Sequence, residues 1–157
     1  MPQYFKAVER SRMTDAITIM DSVAKAQRRK WMQTNRYADD FRGLDVSPKG
    51  ATGDTYFTKG DPQTGAGGNG FSIQLHGSDE FTFGIVDVIR RFNGRDMDAS
   101  MQYQYMLRRH YQTDNISCLG YNDAGQELCA DFCGIDTPVI VCCDNGTSDW
   151  CPDPTDN

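Results

Sequence analysis

No cysteine precedes position 118, and histidine is scarce, with only His76 and His110 in 157 residues. With so few imidazoles and no Cys-x2-Cys pair, a metal site is the weaker reading of the cysteines. Basic residues are in the minority, 16 against 22 acidic ones, and the formal charge is −6. That deficit excludes the extended basic face on which strong nucleic-acid binding depends. Long hydrophobic runs are missing too: no stretch approaches the roughly 20 apolar residues that span a bilayer. The glycine-rich run over residues 60–70 is not followed by Gly-Lys-Ser/Thr, so it is not a phosphate-binding loop.

What remains is a globular composition, 38% apolar, 11% aromatic and 24% charged, at a length that suits one domain with one core. The six cysteines, Cys118, Cys129, Cys133, Cys142, Cys143 and Cys151, all fall in the last quarter of the chain. An even number crowded in this way reads as a disulfide framework without metal. It places the chain in an oxidising compartment such as the bacterial periplasm or cell surface. A protein bound for that compartment needs an export signal or an anchor, and neither is present. An apolar segment upstream of Met1-Pro2-Gln3-Tyr4 is therefore expected.

Along the single domain 1–157, four stretches differ in pattern: a helix within 1–33, a loop region 34–70, a sheet 71–111 and a cysteine-rich region 112–157. In residues 4–33, Phe5, Val8, Ala16, Ile17, Met20, Val23, Ala24 and Trp31 recur three or four apart, giving one buried stripe. Ile17, Met20 and Ala24 are expected in the core. Glu9, Asp15 and Asp21 precede Arg28, Arg29 and Lys30, a polarity that suits the helix macrodipole with the basic cluster in solvent. Residues 34–70 lack periodicity and are rich in turn formers, which predicts a long exposed loop. Phe71, Ile73 and Leu75 alternate with polar residues, 81–92 is rich in β-formers, and Asn93-Gly94 signals a hairpin. Over 101–111, Met101, Tyr103, Tyr105, Leu107 and Tyr111 share one face, opposite Gln102, Gln104, Met106, Arg108 and His110. Successive strands with short links predict an antiparallel sheet covering the helix stripe, an α+β fold.

Asp123 with Gln126 three residues later reads as a helix-capping pair, and Gly134 as a helix end, so a short helix is expected near 124–133. It puts Cys129 and Cys133 on one face. Val139, Ile140 and Val141 read as a last strand. Cys142 and Cys143 are too close along the chain to bridge each other without strain, and a strand sends them to opposite faces. Cys118 and Cys129 form the expected local pair. Cys133 then takes one of the adjacent cysteines and Cys151 the other.

No catalytic, cofactor-binding or metal-binding set is read, and no enzyme is expected. His76-Gly77-Ser78-Asp79 supplies triad residue types, but adjacency in sequence is not triad geometry, and the stretch reads as a turn. His110 reads as a surface residue at a strand end. The acidic tail Asp144, Asn145, Asp149, Asp153 and Asp156 lacks the spacing of an EF-hand loop and reads as solvated. Asn115-Ile116-Ser117 and Asn145-Gly146-Thr147 match the glycosylation sequon, a pattern frequent by chance. Trp150 is the one residue suggesting an aromatic binding surface.

The stretch Pro2-Gln3-Tyr4-Phe5-Lys6-Ala7-Val8-Glu9-Arg10-Ser11-Arg12 resembles the segment just after the membrane-spanning part of bacterial type IV prepilins. The resemblance continues through Ala24-Lys25-Ala26-Gln27 and from Trp31 to Tyr37-Ala38-Asp39-Asp40-Phe41, so it covers residues 2–41; beyond that it is architectural. It implies a pilin-like fold in which one long helix packs on an antiparallel sheet. It also implies a structural subunit that polymerises through that helix into a cell-surface pilus supporting adhesion, motility or DNA uptake. The implied partners are other pilin subunits, the pilus assembly machinery and, before assembly, the inner membrane, with a periplasmic head. The family's processed N-terminal phenylalanine and nearby glutamate would lie upstream of Met1, so neither maps to a residue here. Six cysteines exceed the single C-terminal pair common in the family. A pseudopilin of a type II secretion system is the alternative within the family, and a secreted adhesin module the alternative outside it.

Overall fold

The computed structural model describes residues 3–59, 61, 70–77 and 84–152. Most of the glycine-rich run, Ser78, Asp79, residues 81–83, Asp153 and Asp156 lie outside the described residues. One helix, α1 (Gln3–Thr34), opens the chain. Its buried stripe is Met13, Ala16, Met20, Val23 and Ala24, flanked by Ala26 and Gln27. Met20 and Ala24 are buried as expected, but Ile17 is only half-buried and Phe5 is 47% exposed. Ile17 lies just off the centre of the stripe, and Phe5 belongs to the first turns.

The region 34–70 is not a plain loop. Asn35, in the left-handed region at φ 58°, ends the helix, and the chain returns along it. Gln27 fixes the return by bonding both backbone polar groups of one residue, donating to Ala38 O (2.9 Å) and accepting from Ala38 N (2.8 Å). Trp31 stacks on Tyr37, with ring centroids 4.9 Å apart. Asp40 then caps a 3-10 turn, Phe41–Gly43, that buries Phe41 completely, and a short strand β1 (Thr55–Phe57) follows.

The sheet continues with β2 (Phe71–His76), β3 (Ile85–Phe92), β4 (Arg95–Asp96), β5 (Tyr105–His110), β6 (Ser117–Gly120) and β7 (Val141–Cys143). The order is β1-β2-β3-β5-β6-β7, every pair antiparallel, and β4 pairs with the end of β3. Asn93 and Gly94 make the β3–β4 turn with positive φ at both positions (53° and 74°), as a type I′ hairpin requires. The last strand runs over 141–143 rather than 139–141, leaving Ile140 64% exposed.

Register assigns the faces. Phe71, Ile73 and Leu75 stand beside Val86, Val88, Tyr105, Leu107 and Cys118 on the inner face, against α1. The second helix, α2 (Asp123–Cys133), covers the same face at the β6–β7 end. Its N-cap is Asn122, whose side chain accepts from Gly125 N, and not Asp123, which sits inside the first turn. Gly134 closes it in the left-handed conformation at φ 73°, as read from sequence. Gly120 on β6 has no space for a side chain, since a Cβ would meet Gln126 N at 2.5 Å, so α2 lies backbone-close to the strand. The result is an α+β fold: an N-terminal helix on an antiparallel sheet with disulfides in the C-terminal region.

Candidate functional site

The α1–sheet seam is held by buried ion pairs. Glu9, read from sequence only as part of the helix's charge polarity, is 1% exposed. It accepts from Arg90 Nε at 2.5 Å and from the Tyr105 hydroxyl at 3.1 Å, while Arg12 pairs with it at 3.3 Å. A carboxylate taken out of water needs such partners, because desolvation costs several kcal/mol per ion. Burial pushes the Tyr105 phenol well above its ordinary range, and the Glu9 carboxylate beside it adds to this. Further along, Arg109 reaches Asp21 at 2.5 Å. The basic cluster is only partly in solvent: Arg29 is exposed, but Arg28 donates to Tyr111 O (2.5 Å) and Thr113 O (2.9 Å). Those carbonyls belong to the loop after β5, so Arg28 is an interdomain-like tie within one core rather than a dipole counterion alone.

At the N-terminal end of this seam lies a groove of about 500 Å³ between α1 and the chain over 92–103. Phe5, Val8 and Arg12 line one side, and Phe92, Met101 and Tyr103 the other. Gln102 also lines it, and its side-chain Nε2 is buried without a hydrogen-bond partner.

The outer face of the sheet carries a polar row set by register: Thr55, Gln74, Asp87, Arg108 and Ser117 on five successive strands. Asp87 is 5% exposed and bonds Arg108 through both oxygens (2.7 and 3.0 Å), with His76 Nε2 at 3.2 Å. Burial pushes the Asp87 carboxyl up, but the bonds from His76 and Arg108 outweigh it, leaving it below the ordinary carboxylate range. Trp150 stacks over the Arg108 guanidinium at 5.2 Å. His76 is thus the end of β2 and an Asp87 partner, not a turn residue. Ser78 and Asp79 lie outside the described residues, so no triad is assembled from what is described. His110 is partly buried rather than a surface residue.

The cysteines are joined as Cys118–Cys129, Cys133–Cys142 and Cys143–Cys151. Cys142 faces inward to α2 and Cys143 outward to the returning C-terminal segment, so one strand is tied on both sides. Among the described residues, the one acidic–cysteine grouping with metal-like spacing is Cys143, Asp144 and Cys151. Its two sulfurs are bonded to each other and offer no thiolate. Asp144 is not a solvated tail residue: it accepts from Ile116 N at 3.1 Å and is half-buried, and that burial raises its pKa. Asn145 is exposed and Asn115 partly so.

The ion-paired seam and the polar row escaped the sequence because each joins residues far apart in the chain, such as positions 9 and 90. Comparison of the chain with protein-family models, with curated proteins and with solved structures finds no match.

Proposed function

We propose that the chain is the head of a type IV pilin-like filament subunit, structural rather than catalytic, which polymerises through the helix to which α1 belongs. What carries this conclusion is α1 itself. It has 32 residues, roughly 48 Å at 1.5 Å per residue, and lies along one face of an antiparallel sheet. Ties at Glu9–Arg90, Asp21–Arg109 and Arg28–Tyr111 hold it along its length. A helix fixed at three points transmits load from an upstream extension into the head without sliding. The resemblance over residues 2–41 supports the same conclusion, and three disulfides suit a head that stands in an oxidising compartment. The partners are then other copies of the subunit and the assembly machinery, with the inner membrane holding the subunit before assembly.

Among the described residues no helix is long and apolar enough to cross a membrane, so such a subunit needs an apolar helix of roughly 20 residues upstream of Pro2. Sequencing the gene upstream tests this. A short basic leader, Gly-Phe and an apolar run are expected, and cells expressing the whole gene should display filaments that an antibody to this domain labels in electron microscopy. A gene without the apolar run, or labelled cells without filaments, would remove the proposal.

A further inference from the structure

We infer that the groove at the N-terminal end of α1 is a binding site for an amphiphile, a single apolar chain ending in an anionic head group. Its volume of about 500 Å³ falls within the range of small-molecule sites, roughly 300–1,000 Å³. The walls supply the two chemistries such a ligand requires. Val8 of α1 faces Phe92, Met101 and Tyr103 across the groove, a lining for an apolar chain. The ionised side chains lining it are Glu9, Arg12 and Arg90. Glu9 and Arg90 neutralise each other in the buried seam, at 2.5 Å. Arg12, 53% exposed and 3.3 Å from the already partnered Glu9, leaves one surplus positive charge at the mouth. Gln102 also lines the groove, and its Nε2 is buried without a hydrogen-bond partner, a donor that rotation of the side chain would bring to an acceptor on the ligand. A neutral chain would leave the surplus positive charge unanswered, and a multivalent anion would gain nothing from the apolar walls. The inference stands on the groove alone and does not rest on the filament proposal.

The anionic head could belong to a free fatty acid or to a phospholipid, and the test separates the two. Laurate, dodecanol and phosphatidylglycerol vesicles are titrated into the protein, with binding read by calorimetry and by amide shifts in the groove. Saturable laurate binding that shifts Val8 and Gln102 is expected, with dodecanol weaker by about tenfold, the loss of one charge-assisted hydrogen bond. Arg12→Gln should bring laurate down to the affinity of dodecanol, removing that preference, and Val8→Trp should obstruct the apolar wall and abolish both. Vesicle binding abolished by Val8→Trp assigns the ligand to the bilayer; laurate binding without vesicle binding assigns it to the free acid. Absence of saturable laurate binding, survival of binding in Val8→Trp, or an unchanged preference in Arg12→Gln would each overturn the assignment. Retention of the three disulfides and of native helicity verifies that each variant is folded.

Discussion

Glu9 on α1 and Arg90 on β3 form an ion pair with almost no solvent access, their side chains 2% and 6% exposed and 2.5 Å apart. Removing one partner strands the other charge in the core. Glu9→Ala should therefore cost about 3–5 kcal/mol, whereas the double change Glu9→Leu with Arg90→Met should cost far less, since a well-packed apolar pair often equals a buried ion pair. Urea unfolding of both single variants and the double variant gives the coupling directly. Additive losses would show that the pair is not a unit.

Core position along α1 should decide the cost of truncation. Met20 is fully buried, so Met20→Ala should lose about 2–5 kcal/mol. Ile17 keeps part of its surface in water, and Ile17→Ala should lose about 1 kcal/mol, with little cavity formed. Equal losses in thermal unfolding would contradict the observed tilt of the stripe.

The difference between those two residues marks what the sequence could convey. The period of α1 shows that a stripe exists, but Phe5 and Ile17 differ from Met20 only through where the sheet lies. Alternation over 71–75 and 105–110 is legible because strands repeat every two residues, whereas 101–104 continue the alternation without being strand. Glu9 was not legible, because a glutamate on a helix normally faces water and its partner is 81 residues away. Cys118–Cys129 was legible as a local pair, and Cys142 and Cys143 as neighbours that must point apart, but which of the two takes Cys133 depends on the face that α2 covers.

Asp87 should make the fold acid-sensitive. Its carboxyl is held below the ordinary value by His76 and Arg108 against the opposing effect of burial. A depressed folded pKa adds stability above the unfolded value, about 3.9, and loses it as pH falls through the folded one. Asp144 opposes this: raised by burial, it favours the fold most at low pH and loses that contribution as pH climbs through its folded value. Denaturant unfolding between pH 2 and 6 should show stability declining below about pH 4, and Asp87→Asn should flatten the decline. An unchanged slope would mean other carboxylates govern it.

Reduction should act regionally. Each bridge closes a loop of 8 to 11 residues, worth about 3 kcal/mol of unfolded-state entropy. Hydrogen exchange after reduction should therefore rise first over 117–152 and last in α1. Replacing Cys143 and Cys151 by serine should free only the returning segment with Trp150. Exchange rising first in α1 would show that the helix depends on the bridges.

The sheet's two borders are both short. On one side β7 spans only Val141–Cys143, and the chain folds back on it there, with Cys143 N donating to Thr147 O at 3.1 Å. On the other side β1 offers just three residues, Thr55–Phe57, as backbone for pairing. Open borders invite strand addition, and short or blocked ones resist it. At the high local concentrations of any assembly, association of these domains must therefore run through side-chain surfaces rather than through continued β-pairing.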